Sequence, residues 1–417
     1  MGQILSEPIA DKRTYKDEDS RLGYCVSDMQ GWRISMEDAH AAVLSLTAPD
    51  AAGSQSDISF FGVYDGHGGA NVARYTGRTL HTRLAELPEF QRKDYEAALR
   101  RAFIKTDEDL RIDPVYANDS SGCTAVTALI VPDDTAPNRR IIVANAGDSR
   151  SVLGLKGEAK PLSFDHKPGN PGEHSRILNA GGFVEFDRVN GNLALSRAIG
   201  DFEFKQNTSL PAEEQIVTAE PEIISHTATG EEEFLVLACD GIWDCLSNQQ
   251  VVDIVRRGIA KGMTLDEITE NIIDRCLAPD AEMGGIGCDN MTLCIVAIFG
   301  GRTKEEWYAW VKERVESGYG YNTPEDVPPI FRSQQRAQAA SLFGAPGARG
   351  GQLSLDGGLL SAISRAPGGG EDGEDNGIAA AANENVNTGA ALHGSAADGS
   401  ERAASAPTDS PSDIVHN

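Results

Sequence analysis

Two stretches of this chain run from an apolar segment into the same dipeptide: residues 60–64 into Asp65-Gly66, and residues 234–239 into Asp240-Gly241. An apolar run that stops on a carboxylate and then a glycine reads as a buried strand with an anionic group at the rim of its sheet. A third run, 141–146, leads into Gly147-Asp148, and Asp289 stands just before a fourth, 291–299. If the fourth strand lies antiparallel to the others, its start shares an edge with their ends. Each aspartate alone is most simply a turn former. Together they make a cluster that repels itself by several kcal/mol at modest dielectric, a cost that bound divalent cations remove. Oxygen ligands converging from several strands suit Mg²⁺ or Mn²⁺ better than zinc.

Composition shows where the folded part lies. Of 417 residues 40% are hydrophobic, yet no Phe, Tyr or Trp follows Phe343. The end of the chain is rich in Gly, Ala, Ser, Asp and Asn and cannot bury enough apolar surface to offset chain entropy. Residues 333–417 therefore read as a disordered acidic tail; the alternative is a partner-binding tail with anchors such as Leu359-Leu360. The net charge is −26, and ten acids and four arginines from Ser333 onward leave −20 on residues 1–332. A body this acidic argues against nucleic acid as partner and against a nuclease.

The seven cysteines show no zinc-module spacing, and Cys25, Cys123, Cys239 and Cys294 sit in apolar, strand-like contexts. Reduced thiols of the cytoplasm and nucleus fit that pattern. No secretory leader and no transmembrane run is expected. Met1-Gly2-Gln3-Ile4-Leu5-Ser6 fits the N-myristoylation pattern with Gly2 as acceptor, which implies at most a minor membrane-associated fraction, since one acyl chain binds weakly.

Alternation and β-branched content predict strands over 22–29, 39–46, 58–64, 124–131, 141–146, 151–155, 234–239 and 291–299. Helical periodicity covers 69–87 and 91–110. Capping boxes at Ser247–Gln250, Thr264–Glu267 and Thr303–Glu306 open three more helices. Groups of strands between helix pairs, with short hairpin separations, indicate layered α+β with antiparallel pairing.

One more segment carries chemistry: Arg33-Ile34-Ser35-Met36-Glu37-Asp38 brings one cation and two acids into six residues. With it, the chain resembles the type 2C metal-dependent serine/threonine protein phosphatases, and among them the fungal members with a long divergent tail. The resemblance is carried by that segment and by Phe61-Gly62-Val63-Tyr64-Asp65-Gly66-His67-Gly68-Gly69, Ser121-Gly122-Cys123-Thr124-Ala125 and Ala144-Asn145-Ala146-Gly147-Asp148-Ser149-Arg150. Leu195-Ser196-Arg197-Ala198-Ile199-Gly200-Asp201, Leu237-Ala238-Cys239-Asp240-Gly241-Ile242-Trp243-Asp244 and Asp289-Asn290-Met291-Thr292 complete it. Seven motifs in order, over roughly 20–300, are far more specific than Asp-Gly-His alone.

The resemblance implies a four-layer α-β-β-α sandwich of two antiparallel sheets flanked by helices. The domains it implies are an N-terminal segment at 1–20, a catalytic domain at 21–300 with a flap at about 165–190, and a C-terminal helical extension at 301–332. It implies hydrolysis of phosphoserine and phosphothreonine in proteins, by in-line attack of a metal-bridging hydroxide without a covalent intermediate. Two Mg²⁺ or Mn²⁺ ions are implied: Asp65 bridges both, Asp240 and Asp289 complete one, and the Gly66 carbonyl binds the other. Glu37 and Asp38 act through metal-bound waters. Arg33 holds the substrate phosphate, which suits its planar fork of donors, and His67 protonates the leaving oxygen. Asp148 and Asp244, with Asp240, form a weaker third-metal site. The implied protein is a monomer, with phosphorylated proteins, including kinases of a signalling pathway, as partners. The alternative is an inactive type 2C-like scaffold, which loss of Arg33 or of a metal acid would signal.

Overall fold

The computed structural model describes residues 4–47, 56–133, 139–281 and 285–331. Gly2 and the tail at 333–417 lie outside the described residues. In chain order the elements are β1 (Ile4–Glu18), β2 (Leu22–Arg33), β3 (Ala39–Val43), β4 (Ser59–Tyr64), β5 (Gly66–His67), α1 (Asn71–Glu86), α2 (Pro88–Gln91) and α3 (Tyr95–Ile112). There follow β6 (Gly122–Cys123), β7 (Ala125–Pro132), β8 (Arg139–Ala146), β9 (Arg150–Leu155), β10 (Glu158–Pro161), α4 (Pro171–Asn179), β11 (Val184–Glu185), β12 (Arg188–Val189) and β13 (Ile199–Gly200). The last are β14 (Glu222–Thr227), β15 (Glu232–Ala238), α5 (Asp240–Trp243), α6 (Asn248–Ala260), α7 (Leu265–Cys276), β16 (Met291–Ile298) and α8 (Lys304–Ser317).

Two antiparallel sheets form the centre, one in the order β1-β2-β16-β15-β9-β10 and the other β14-β8-β7-β4-β3. Alternation along β15 shows how they pack. Leu235, Leu237 and the following Cys239 point into the core between the sheets, where they meet Val126, Ala128 and Ile130 of β7. Phe234, Val236 and Ala238 point the other way, onto the buried faces of α5–α8. On the far side α1–α3 cover Phe60, Leu129 and Val131. Helix, sheet, sheet and helix make four layers, as expected for the sandwich. Burial on both faces explains why central strands read as unbroken apolar runs although they are antiparallel. Among the described residues no helix is long and apolar enough to cross a membrane.

The strands expected from sequence all appear with ends shifted by a few residues, and all three capping boxes form. Two expected boundaries do not match breaks in packing. Residues 4–18, read as part of a polar N-terminal segment, form edge strand β1, paired with β2 from Ile4↔Arg33 to Glu18↔Gly23. The helical extension expected at 301–332 closes the main core: Trp307 of α8 is fully buried, and its Nε1 donates to the Glu233 carbonyl at 2.9 Å. Beyond it, the chain at 319–323 wraps a buried pair in which Arg256 Nε lies 2.8 Å from Glu233 Oε2. The segment expected as a flap at about 165–190 does not end a packing unit at 190, because Leu195, Phe204 and Val217 share a small core with Ile177 and Val189.

Trp307→Ala should cost about 3–5 kcal/mol in urea unfolding, since a buried indole leaves a cavity and an unpaired carbonyl. A chain ended at residue 300 should fail to unfold cooperatively. A stable 1–300 fragment would show that α8 is dispensable.

Candidate active site

One end of the sandwich collects the strand-end acids from both sheets. Asp65 follows β4 and Asp148 follows β8, while Asp240 follows β15 in the facing sheet. Asp289 precedes β16, which is antiparallel to β15 with Ala238 opposite Leu293, so its start does share an edge with the end of β15. Arg33 ends β2, the next strand in that sheet.

Close backbone approach is built in at two glycines. A Cβ on Gly66 would collide with the Glu37 carbonyl, and one on Gly241 with the Asn290 carbonyl. Asn290 also ties the Arg33–Asp38 segment to β16. Its Nδ2 donates to the Gln30 and Ser35 carbonyls (2.8 and 3.0 Å), and its Oδ1 accepts from the Glu37 amide at 2.9 Å. Glu37 is fixed further by the Ser35 hydroxyl and the Gly69 amide.

Carboxylate oxygens of Asp65, Asp148 and Asp240 all lie within 4.8 Å of one another, and a second group joins Asp38, Asp65 and Cys239. Burial raises Asp65 well above the usual carboxylate range, and its neighbours Asp240, Asp38, Asp289 and Asp148 raise it further. Asp240 is raised likewise, by burial and then by Asp148, Asp289 and Asp244. Asp38 is pushed up to about 7, mainly by burial, although Thr292 Oγ1 donates to its Oδ2 at 2.7 Å. Asp244 is raised by burial as well. Asp38 Oδ1 is buried without a hydrogen-bond partner. An orphaned oxygen within a ring of like charges is a donor set that suits a hard divalent cation. Burial holds the Cys239 thiol protonated, and the Thr292 amide donates to its sulfur, so it packs as a strand-end residue.

The remaining expected residues lie around these acids. Asp148, expected at a weaker third site with Asp240 and Asp244, stands directly beside Asp65 and Asp240. Arg33 and Asp289, expected to bind phosphate and metal, hold each other: Arg33 Nη2 donates to Asp289 Oδ2 at 2.6 Å. His67 Nε2 is 2.7 Å from an oxygen of Asp201. Burial disfavours the charged imidazole, but Asp201 outweighs it and raises His67. A Cβ on Gly122 would strike both partners, so only glycine leaves room for the pair.

Asp201, Asn290, Thr292 and Lys167 carry roles that the sequence did not assign. Lys167, in the flap, donates to Asp148 Oδ2 at 2.6 Å. Burial opposes its charge and Asp148 restores it, leaving Lys167 raised. Asp201 and Asn290 lay inside recognised motifs, but their partners are 134 and 253 or more residues away. No local spacing signals such contacts.

A family model described as protein phosphatase 2C matches residues 22–283. The protein phosphatase 2C homolog 2 of Schizosaccharomyces pombe is 55% identical over 342 residues, covering 82% of this chain and 90% of that protein. Its namesake in Hypocrea jecorina is 50% identical over 364 residues, covering 86% and 81%. A solved phosphatase structure from Toxoplasma gondii superposes with a TM-score of 0.58 at 27% identity, over 70% of this chain and 96% of that one. The family model stops short of Asp289, which the geometry brings to the same rim.

Raised acids stabilise the metal-free fold at low pH, and that contribution is lost as pH rises through about 7 for Asp38 and higher for Asp65 and Asp240. Cations bind the deprotonated acids, so the rise in Tm from EDTA to Mn²⁺ should be larger at about pH 7.5 than at about pH 5. Calorimetry at both values checks this; an equal rise contradicts it. In the same experiment Lys167→Met should lower Tm in EDTA and enlarge the gain on adding cation, because Asp148 loses its only neighbouring ammonium among the described residues.

Proposed function

The chain belongs to the protein phosphatase 2C family and is a protein serine/threonine phosphatase; we propose that it hydrolyses phosphoserine and phosphothreonine esters with the aid of two divalent cations, Mg²⁺ or Mn²⁺, and without a covalent intermediate. The observation that carries this reading is the convergence of Asp38, Asp65, Asp148 and Asp240 beside an arginine and a carboxylate-paired histidine. Asp65, Asp240 and Asp289, the Gly66 carbonyl and, through water, Glu37 and Asp38 are the groups that would hold the cations. Asp148 and Asp244 would hold a weaker third. Bound there, the cations supply a hydroxide nucleophile at neutral pH and offset charge on the phosphoryl oxygens.

The chain's own groups do the rest. Arg33 presents a planar guanidinium fork to the phosphoryl oxygens. Its pair with Asp289 is 43% and 31% exposed, so screening leaves it weak and easily exchanged for substrate. His67 delivers the proton to the departing serine or threonine oxygen. With Nε2 donating to Asp201, the proton on Nδ1 is the one available for transfer. Asp201 is thus a positioning residue that keeps the imidazole charged to higher pH. Seven unpaired thiols support a reducing compartment, the cytoplasm and nucleus, and Gly2 is proposed as an acyl acceptor on its sequence pattern alone.

Hydrolysis of a phosphothreonine peptide should require Mn²⁺ or Mg²⁺, stop in EDTA and collapse in Asp240→Asn. His67→Gln should cost about 10²–10⁴-fold on that peptide and far less on an activated aryl phosphate, whose leaving group needs no proton. Asp201→Asn should lower the pH at which peptide activity falls, because the imidazole loses its proton sooner. Equal losses on both substrates would rule out proton donation by His67.

A further inference from the structure

A groove of ≈ 350 Å³ opens beside the acid cluster, between α1 and the segment that carries Asp38. Arg13, Asp28, His40, Arg74 and Arg78 line it, and Asp38 belongs both to its wall and to the metal-acid group with Asp65. The groove and the catalytic end therefore share a side chain. Tyr15 lines it as well, its ring packed against that of His40 at 5.2 Å between centroids.

The three arginines are not equivalent. Arg13 is neutralised by Asp28, which accepts from its Nε at 2.9 Å and lies 2.8 Å from its Nη2. Among the described residues Arg74 donates only to the Met36 carbonyl, at 3.4 Å, and Arg78 only to the Arg74 carbonyl, at 3.1 Å. Among the described residues neither has a carboxylate within ion-pair distance, whereas Arg83 on the same helix holds Asp109 at 2.6 Å. In a chain with 63 acids against 37 Lys and Arg, two unpaired guanidiniums one helical turn apart are conspicuous. Like charges at this spacing repel each other, so the helix gains nothing from them.

Gly77 lies between them. Its position would place a Cβ 3.4 Å from both the Ala39 Cβ and the His40 carbonyl. A glycine inside a helix is unfavourable relative to alanine, and here it lets α1 settle against β3. That contact presents Arg74 and Arg78 alongside Asp38.

We propose that Arg74 and Arg78 bind an anionic side chain of the substrate, a carboxylate or a second phosphoryl group a few residues from the scissile phosphoester. The inference rests on the phosphatase reading and adds to it a substrate class. Guanidinium forks match both anions bidentately. An extended peptide rises about 3.3 Å per residue, so a phosphoester at the acid cluster carries its flanking side chains along the groove.

The test uses the full chain with Mn²⁺ and a phosphothreonine peptide in which Ala, Glu or a non-hydrolysable phosphonate side chain is stepped through the flanking positions. At one or two offsets the anionic peptides should show KM lower by about tenfold, with kcat unchanged, and the advantage should shrink with salt. The double variant Arg74→Ala/Arg78→Ala should lose that advantage while turning over the neutral peptide and p-nitrophenyl phosphate normally. Arg74→Lys/Arg78→Lys should keep part of it. A gain with phosphonate alone identifies a dianion as the ligand, and a gain with both anions identifies charge; either supports the site. Equal KM for neutral and anionic peptides at every offset, or an advantage that survives the double alanine variant, overturns it. No metal-dependent turnover of the neutral peptide would instead sink the phosphatase reading, and this proposal with it.

Discussion

Mutual repulsion among four carboxylates, two buried (Asp38, Asp148) and two half-buried (Asp65, Asp240), governs the catalytic end of this molecule. The central strands β4, β7, β15 and β16 are covered on both faces, so their charged groups sit at or just beyond the strand ends. Because the sheets stack face to face, strand ends from different sheets come close only at the rims. Asp65 and Asp148 arrive from one sheet and Asp240 from the other, and none can retreat without dragging a packed strand with it. The glycines at 66 and 241 tighten the arrangement, since any side chain there would push the loops apart. Rigid strands thus force together groups that electrostatics would separate, and a site that stores repulsion in this way is preorganised for cations.

Protons and nearby cations of the protein relieve the strain when no divalent ion is bound. Raised pKa values leave Asp65 and Asp240 disposed to keep their protons. Lys167 approaches Asp148 from the flap and Arg33 approaches Asp289 from β2, and these two side chains are 44% and 43% exposed. Ion pairs at that exposure are worth about 1 kcal/mol or less. They can neutralise an acid and still give way to a better partner. Lys167 reaches Asp148 from a segment also held by the Gly147 amide on His166 Nδ1 and by Arg150 on Asp165, so its exposed ion pair can exchange without releasing that segment.

The sequence disclosed the parts of the fold that are buried and concealed those that are exposed. Central strands such as β7, β15 and β16 show apolar runs because both faces are covered. Edge strands β1, β10 and β14 were missed, since each has one neighbouring strand and mostly polar residues. Trp307 was legible as part of a capped helix, but nothing local showed that it fills the core above β15. At the site, the strand-end acids were legible because a carboxylate after an apolar run has few structural reasons to be there. Asp201 and Asn290 were not, because their roles depend on partners far along the chain. Lys167 sits in a flap whose docking no periodicity records.

Net charge separates two questions that are easily merged. An overall charge of −26 repels a long polyanion, which needs many cations along its length, and so speaks against nucleic acid. A single phosphoester asks for much less. At physiological ionic strength charges are screened beyond about 8 Å, so the substrate responds to the groups immediately around it. There the balance differs from the molecule as a whole: Arg33 and Lys167 stand at the acid cluster, and Arg74 and Arg78 line the adjoining groove with no carboxylate partner among the described residues. A phosphorylated side chain and the anionic neighbour proposed for the groove therefore meet local guanidiniums rather than the charge of the molecule as a whole.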